Sequence, residues 1–171
     1  MKMSEAKMDN LNRIDELYKV CILNLNESGI YQWDDRYPNI TTYTSCIKDK
    51  CQYIFESDGD LIGSVILNES QSEEWNLVPW NYIDGRIIVI HALAINPKVQ
   101  GKGYGQQVLE LCEAYGFNNG YTAMRLDVFS KNAAAIRLYE KNAFQKVGEV
   151  TFSFKPIGHQ QYYCYEKMLK E

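Results

Sequence analysis

In Asn96-Pro-Lys-Val-Gln100-Gly-Lys-Gly-Tyr-Gly105, three glycines fall within five residues. Upstream, residues 87–95 are nearly continuous apolar sequence, the pattern of a buried central strand, and Pro97 ends it. Downstream, Tyr104, Val108, Leu111, Cys112 and Tyr115 share one face of a helix predicted over 103–116. Glycines at a strand-to-helix junction let successive backbone N–H groups approach an anion with no Cβ in the way, and the helix dipole adds to the attraction. The loop therefore reads as a phosphate site.

Outward from it, residues 9–27 place Leu11, Ile14, Leu17, Tyr18, Cys21, Ile22 and Leu25 on one helix face, with Asp9 as the expected cap and Ser28-Gly29 as the stop. A short strand is expected before it at 3–8, and a second helix at 40–49. Residues 52–56 and 61–68 flank Ser57-Asp-Gly-Asp60, a hairpin signal. Residues 70–85, polar but carrying Trp75, Pro79 and Trp80, read as a long loop. Beyond the glycine loop, residues 121–129 read as a strand and Asn132 caps a helix through Lys141. Two strands at 144–150 and 162–168 close the chain. No repeat or linker interrupts this order, so residues 1–171 are expected to form one domain of mixed α/β class.

The composition, 46% hydrophobic and 23% charged, is that of a folded chain. A net charge of −4 gives neither nucleic acid nor an anionic membrane an attractive surface. Cys21, Cys46, Cys51, Cys112 and Cys164 are scattered without a Cys-x-x-Cys pair, the usage of reduced thiols in a cytoplasmic protein. Two histidines without paired spacing give no signal for a metal. No apolar run approaches the ~20 residues that span a bilayer.

Three phosphate carriers use loops of this kind. A triphosphate loop needs Gly-Lys-Ser/Thr, and Lys102 is followed by Gly103. A dinucleotide loop needs Gly-x-Gly-x-x-Gly directly after its strand and an acid ~20 residues on. Asp127 meets the second condition, but Gly101-x-Gly103-x-Gly105 is one residue short and starts late, after Pro97.

The third pattern, Gln/Arg-x-x-Gly-x-Gly/Ala, takes in residues 100–105 and resembles the pyrophosphate loop of the GNAT family of N-acetyltransferases. The resemblance extends to Ile90-His-Ala-Leu-Ala-Ile-Asn-Pro97, to Leu126-Asp-Val128, to Asn132-x-x-Ala135-x-x-Leu138-Tyr139-Glu-Lys141 with Phe144, and to Tyr163-Cys-Tyr-Glu-Lys-Met-Leu169. It is dense over 87–150 and thinner before. One departure is Ala143, where the family usually has glycine; Asn142 is expected to take over the helix-ending role.

The resemblance implies the GNAT fold, a mixed, mostly antiparallel sheet flanked by helices, with acetyl-CoA as co-substrate and no metal. It implies that Gln100, Gly101, Lys102, Gly103, Tyr104, Gly105 and Gln106 hold the pyrophosphate. Leu93, Ala94 and Ile95 would pair with the amide-bearing arm, one of their N–H groups facing the oxyanion. Asn132 and Ala135 would contact the arm, and Tyr139 would protonate the departing thiolate.

His-Ala-Leu-Ala-Ile resembles a stretch of arylalkylamine N-acetyltransferases whose histidine is implicated in proton removal through water, which makes His91 the expected base; Glu69, Glu73 and Asp84 are rivals. Residues 29–38 fall where the family borders its acceptor, and Tyr31, Trp33, Asp34 and Asp35 would stack on and attract a cationic amine, small-molecule or peptide. Relatives often form homodimers. A CoA-binding module without turnover and a dinucleotide-dependent oxidoreductase remain as alternatives.

Overall fold

A computed structural model describes residues 1–169; residues 170 and 171 of the expected domain lie outside the described residues. The chain runs β1 (Lys2–Glu5), α1 (Leu11–Glu27), α2 (Ile40–Lys48), β2 (Gln52–Ser57), β3 (Asp60–Asn68), β4 (Arg86–Ile95), α3 (Tyr104–Asn118), β5 (Tyr121–Phe129), α4 (Ala133–Lys141), β6 (Gln145–Thr151) and β7 (Gln161–Met168). The strands hydrogen-bond in the order β1-β2-β3-β4-β5-β7-β6. β4 and β5 are parallel, whereas β1–β2, β2–β3, β5–β7 and β6–β7 are antiparallel. This is the mixed, mostly antiparallel sheet expected. Backbone contacts gather the chain into two compact units: Met1–Leu67 with His91–Val108, and Asn68–Ile90 with Leu109–Glu171.

In the first unit, the apolar face of α1 (Ile14, Leu17, Tyr18, Cys21) packs with Tyr43 and Ile47 of α2, Ile54 of β2 and Ala94 of β4. Tyr18 is fully buried, stacks on Tyr43 at 4.6 Å between centroids and meets the edge of Trp33 at 5.8 Å. A buried phenol needs a partner, and Tyr18 Oη donates to the Ala92 carbonyl at 2.6 Å. Gln52, also fully buried, donates from Nε2 to Ser64 Oγ at 2.7 Å, and that hydroxyl donates to the Tyr53 carbonyl. Gly63 permits a close approach: a Cβ there would stand 2.5 Å from the Ala94 carbonyl oxygen.

Helix starts differ from the sequence reading. A 3-10 turn at Met8–Asn10 precedes α1, so Asp9 lies inside that turn and Asn10 is the N-cap. α2 is started by Asn39, whose side chain accepts from the N–H groups of Thr41 and Thr42.

In the second unit, Arg125 of β5 and Glu166 of β7 face each other across the register, 3.8 Å apart and almost fully buried. Residues 70–85, expected as a long loop, fold onto this pair around a 3-10 turn at Glu73–Leu77. Glu166 accepts from the Asn81 N–H at 2.7 Å, Arg125 donates to the Tyr82 carbonyl and to Gln71 Oε1, each at 2.7 Å, and the guanidinium lies 4.1 Å from the Trp80 ring centroid. Buried charges hold only when paired and hydrogen-bonded, and the loop supplies those bonds.

α4 ends in a Schellman closure: Phe144 N–H donates to the Tyr139 carbonyl and Ala143 N–H to the Glu140 carbonyl, both at 3.1 Å. The left-handed residue is Ala143, at φ 63, and Asn142 stays at φ −96. The expectation for Asn142 was therefore misplaced by one residue: the paired bonds fix the turn at the position just past the C-cap, whatever side chain stands there. A left-handed alanine costs roughly 1–2 kcal/mol, part of which glycine would return as chain entropy. Ala143→Gly is expected to stabilise the protein by about 0.5–1 kcal/mol in urea unfolding; a loss of stability would show that the turn is not strained.

Candidate active site

After β4 the chain makes a 3-10 turn at Pro97–Val99, capped by Asn96 Oδ1, which accepts from the Lys98 N–H at 3.1 Å. Gln100 Nε2 then donates to the Ile95 carbonyl at 3.2 Å, tying the loop to its strand. Gly101 and Gly103 take φ 80 and 81, and a Cβ built on either meets nothing within 4 Å. The backbone thus requires glycine, and the space over it is open. α3 begins at Tyr104, which puts Gly105 and Gln106 in its first turn, where helical N–H groups have no partner within the helix. The loop fits a pyrophosphate group: residues 101–106 can present N–H groups and a helix N-terminus to it.

β4 is bent at Ala92, which adopts φ 48, a left-handed conformation inside a strand. Tyr18 holds that carbonyl, and Cys21 Sγ lies 3.5 Å from the carbonyl of Ile95 as a donor. Ala94 is buried in the core of the first unit, while His91, Leu93 and Ile95 are half-buried. Sequence reading missed Ala92, because one alanine in an apolar run carries no sign of a positive φ.

In the second unit, Asn132 caps α4, its Oδ1 accepting from the Ala135 N–H at 3.1 Å. Tyr139, two turns on, is buried against Phe144, edge to face at 5.8 Å, and near Tyr165. Burial pushes the Tyr139 phenol well above its ordinary pKa, and the nearby charges of Asp127 and Cys112 push the same way. Asp127 lies on β5 opposite Cys164. Burial raises its carboxyl to about 6, the N–H of Trp75 and the charge of Lys155 pull it back, and Glu74 pushes it up. Trp75 Nε1 donates to Asp127 Oδ2 at 3.2 Å, and Trp80 Nε1 donates to the Trp75 carbonyl. Asp127 entered the sequence reading only as an acid for a ribose; its proximity to Tyr139 appears once β5 and α4 are folded.

The acceptor-side candidates diverge. Asp34 is chelated by Arg36, accepting from Nε and the backbone N–H at 2.9 Å each, and this partner holds its carboxyl below the usual range. Asp35 and Tyr31 are exposed, and Trp33 packs against the core of the first unit. Among the rival bases, Glu69 is held by Arg86, which lowers its pKa; Glu73 opens the 3-10 turn and Asp84 is exposed.

Residues 12–144 match the family model described as the acetyltransferase (GNAT) family. The chain belongs to the GNAT acetyltransferase family. It is 27% identical over 128 residues to the uncharacterized N-acetyltransferase YesJ of Bacillus subtilis (strain 168), covering 72% of this chain and 70% of that one. A GNAT-family acetyltransferase structure from Streptococcus agalactiae 2603 superposes with a TM-score of 0.86 at 20% identity, covering 99% of this chain and 96% of the other. The structure of yncA from Salmonella typhimurium with its cofactor acetyl-CoA superposes with a TM-score of 0.72 at 18% identity, covering 100% and 95%. At such identities the structures share a fold. Among the described residues, no helix is long and apolar enough to cross a membrane.

Asp127 is half-buried, and the fold loses stability when this carboxyl ionises. The folded pKa, about 6, lies above the unfolded value, so the neutral form is favoured in the fold; that benefit is complete below the unfolded pKa and is lost as pH rises through about 6. A shift of about two units corresponds to about 2–3 kcal/mol. Asp127→Asn is therefore expected to be more stable than the parent above pH 6, with the gain fading toward pH 4 in denaturant titrations. A gain equal at both pH values would remove the charge as its cause.

Proposed function

We propose that this chain transfers the acetyl group of acetyl-CoA to a primary amine by direct attack in a ternary complex. The observation that carries the proposal is the Asp127–Tyr139 pair, a half-buried carboxyl bonded to the Trp75 indole and a buried phenol close enough to feel its charge. A carboxyl near pKa 6 is ionised at pH 7 and can accept a proton; a phenol raised above its ordinary value keeps its proton and can donate it.

Acetyl-CoA supplies the activated acyl carbon as a thioester. The backbone of residues 101–106 holds its pyrophosphate, with Gln100 and Lys102 flanking, and the strand edge of Leu93, Ala94 and Ile95 orients the amide arm. By the family resemblance, Asn132 and Ala135 at the start of α4 are the residues of the second unit that would contact the cofactor arm. Asp127 takes the proton that the amine nitrogen sheds as the C–N bond forms. Tyr139 donates to the sulfur as the C–S bond breaks; the leaving thiolate is the stronger base for being desolvated, which narrows the gap to the phenol. Trp75 aims the carboxylate through its indole N–H. His91, the base read from sequence, stands on β4 beside the bent Ala92 and is the comparison residue. Asp35 and Tyr31 receive the amine, while Asp34 orders its own segment through Arg36.

Steady-state release of thiol from acetyl-CoA, with a panel of amines, tests the reading. Tyr139→Phe is expected to lower kcat by about 10²-fold with acetyl-CoA affinity nearly unchanged. Asp127→Asn should abolish the acidic limb of the kcat/KM profile near pH 6, and His91→Ala should leave that limb in place. If His91→Ala removes the limb instead, the base is His91; binding of acetyl-CoA with no turnover on any amine would make the protein a CoA-binding module.

Gly103→Ala tests the donor loop separately. A non-glycine residue is strained at φ 81 and brings a Cβ into the open space above the loop. Coenzyme A should raise the melting temperature of the parent and lose about tenfold in affinity for the variant, by roughly 1.4 kcal/mol. Stabilisation by NAD(P) rather than coenzyme A would point to a dinucleotide enzyme.

A further inference from the structure

The end of α2 brings together two cysteines that the sequence sets five residues apart. α2 stops at Lys48, and Lys50 turns left-handed at φ 56. Its N–H donates to the Ile47 carbonyl at 3.2 Å, and the Cys51 N–H donates to the Cys46 carbonyl at 2.9 Å. These paired bonds are a Schellman closure, which sets the side chain of Cys46 against that of Cys51. The Cys46–Cys51 backbone hydrogen bond by itself limits the two Cα atoms to within about 7 Å, and disulfides span about 4.4–6.8 Å. The Cys51 side chain, as a hydrogen-bond partner, is the largest influence holding the Cys46 pKa up, ahead of burial. Both residues are partly exposed, whereas Cys21, Cys112 and Cys164 are buried, and burial raises their pKa values.

We propose that Cys46 and Cys51 form a modification site at which a hydroperoxide closes a disulfide between the end of α2 and the start of β2. The Cys51 thiol gives its proton to solvent, the thiolate attacks the peroxide, the O–O bond breaks, and a sulfenic acid forms as hydroxide leaves and takes a proton from solvent to become water. Cys51 then no longer acts on the proton of Cys46. The Cys46 sulfur, on losing that proton, attacks the sulfenic sulfur; the S–S bond forms, the S–O bond breaks, and the hydroxide leaves as water. Two thiols are oxidised, and one hydrogen peroxide is reduced to two waters. The bridge fixes the last turn of the helix that carries Tyr43, the ring stacked on Tyr18.

Lys48 and Lys50 lie between the two cysteines, so trypsin places them on separate peptides. The full chain is treated with one equivalent of hydrogen peroxide, alkylated and mapped without reduction. The expected result is a linked Cys46–Cys51 peptide pair, a loss of about 2 Da from the intact chain and recovery of both thiols with dithiothreitol. Cys46→Ser should stop at a Cys51 sulfenic acid that dimedone traps, and Cys51→Ser should give no linked pair. Alkylation of both cysteines after peroxide, or a Cys51 sulfinic acid in the unsubstituted chain without the linked pair, would overturn the proposal. Neither result bears on acetyl transfer, which thiol release measures independently.

Discussion

Cβ sterics disfavour a left-handed backbone at any residue but glycine, yet the chain adopts it at Lys50, Asp58, Ala92 and Ala143. Each conformation is imposed by bonds that leave little alternative. Paired helix-end bonds fix Lys50 and Ala143, the β2–β3 turn fixes Asp58 beside Gly59, and the Tyr18 hydroxyl holds the carbonyl of Ala92. What these turns position matters more than the strain itself. Ala143 lets Phe144 fold back on Tyr139, Lys50 lays Cys51 on Cys46, and Ala92 bends the strand that precedes the glycine loop. Strain of about 1–3 kcal/mol per site persists only where the surroundings over-determine it, and at each of these four sites a hydrogen bond or a tight turn supplies that constraint.

The second unit solves a different problem, that of keeping charge inside a sheet. Arg125 and Glu166 are buried together, and at 3.8 Å their direct contact is loose. Most of their hydrogen bonds go to residues 71–82, so the pair orders that segment as much as it neutralises itself. One outcome is that Trp75 reaches Asp127. Loss of solvent outweighs the indole N–H and the charge of Lys155, and Glu74 adds to it, which is why the Asp127 pKa settles near 6 and not below the ordinary carboxylate range.

Elements with a period or a required residue were legible from sequence. The strand at Tyr121–Phe129 falls on its expected boundaries, and the glycine loop declared itself because residues other than glycine are strained at φ near 80. What was not legible depends on residues distant in sequence. A five-residue spacing of cysteines means nothing until the helix end between them is known. Asp127 is one acid among many until Trp75 covers it. Ala92 looks like any apolar strand residue, since its conformation is set by a hydroxyl 74 positions away.

The same division explains how a chain 20% identical to another can superpose with a TM-score of 0.86. A left-handed loop that leads into a helix asks only for glycines and a helix start, and a helix end closed by its own carbonyls asks only for a tolerated turn. Neither constrains most side chains. Residues 29–38 are ordered by side chains instead, and one of their two acids is already committed: Asp34 spends both oxygens on Arg36 and its neighbouring backbone. That arrangement stiffens the segment and leaves Asp35 and Tyr31 as its exposed face. Side chains at such exposed positions can therefore change while the bent strand at Ala92, the glycine loop and the helix end at Ala143 keep their backbone conformations.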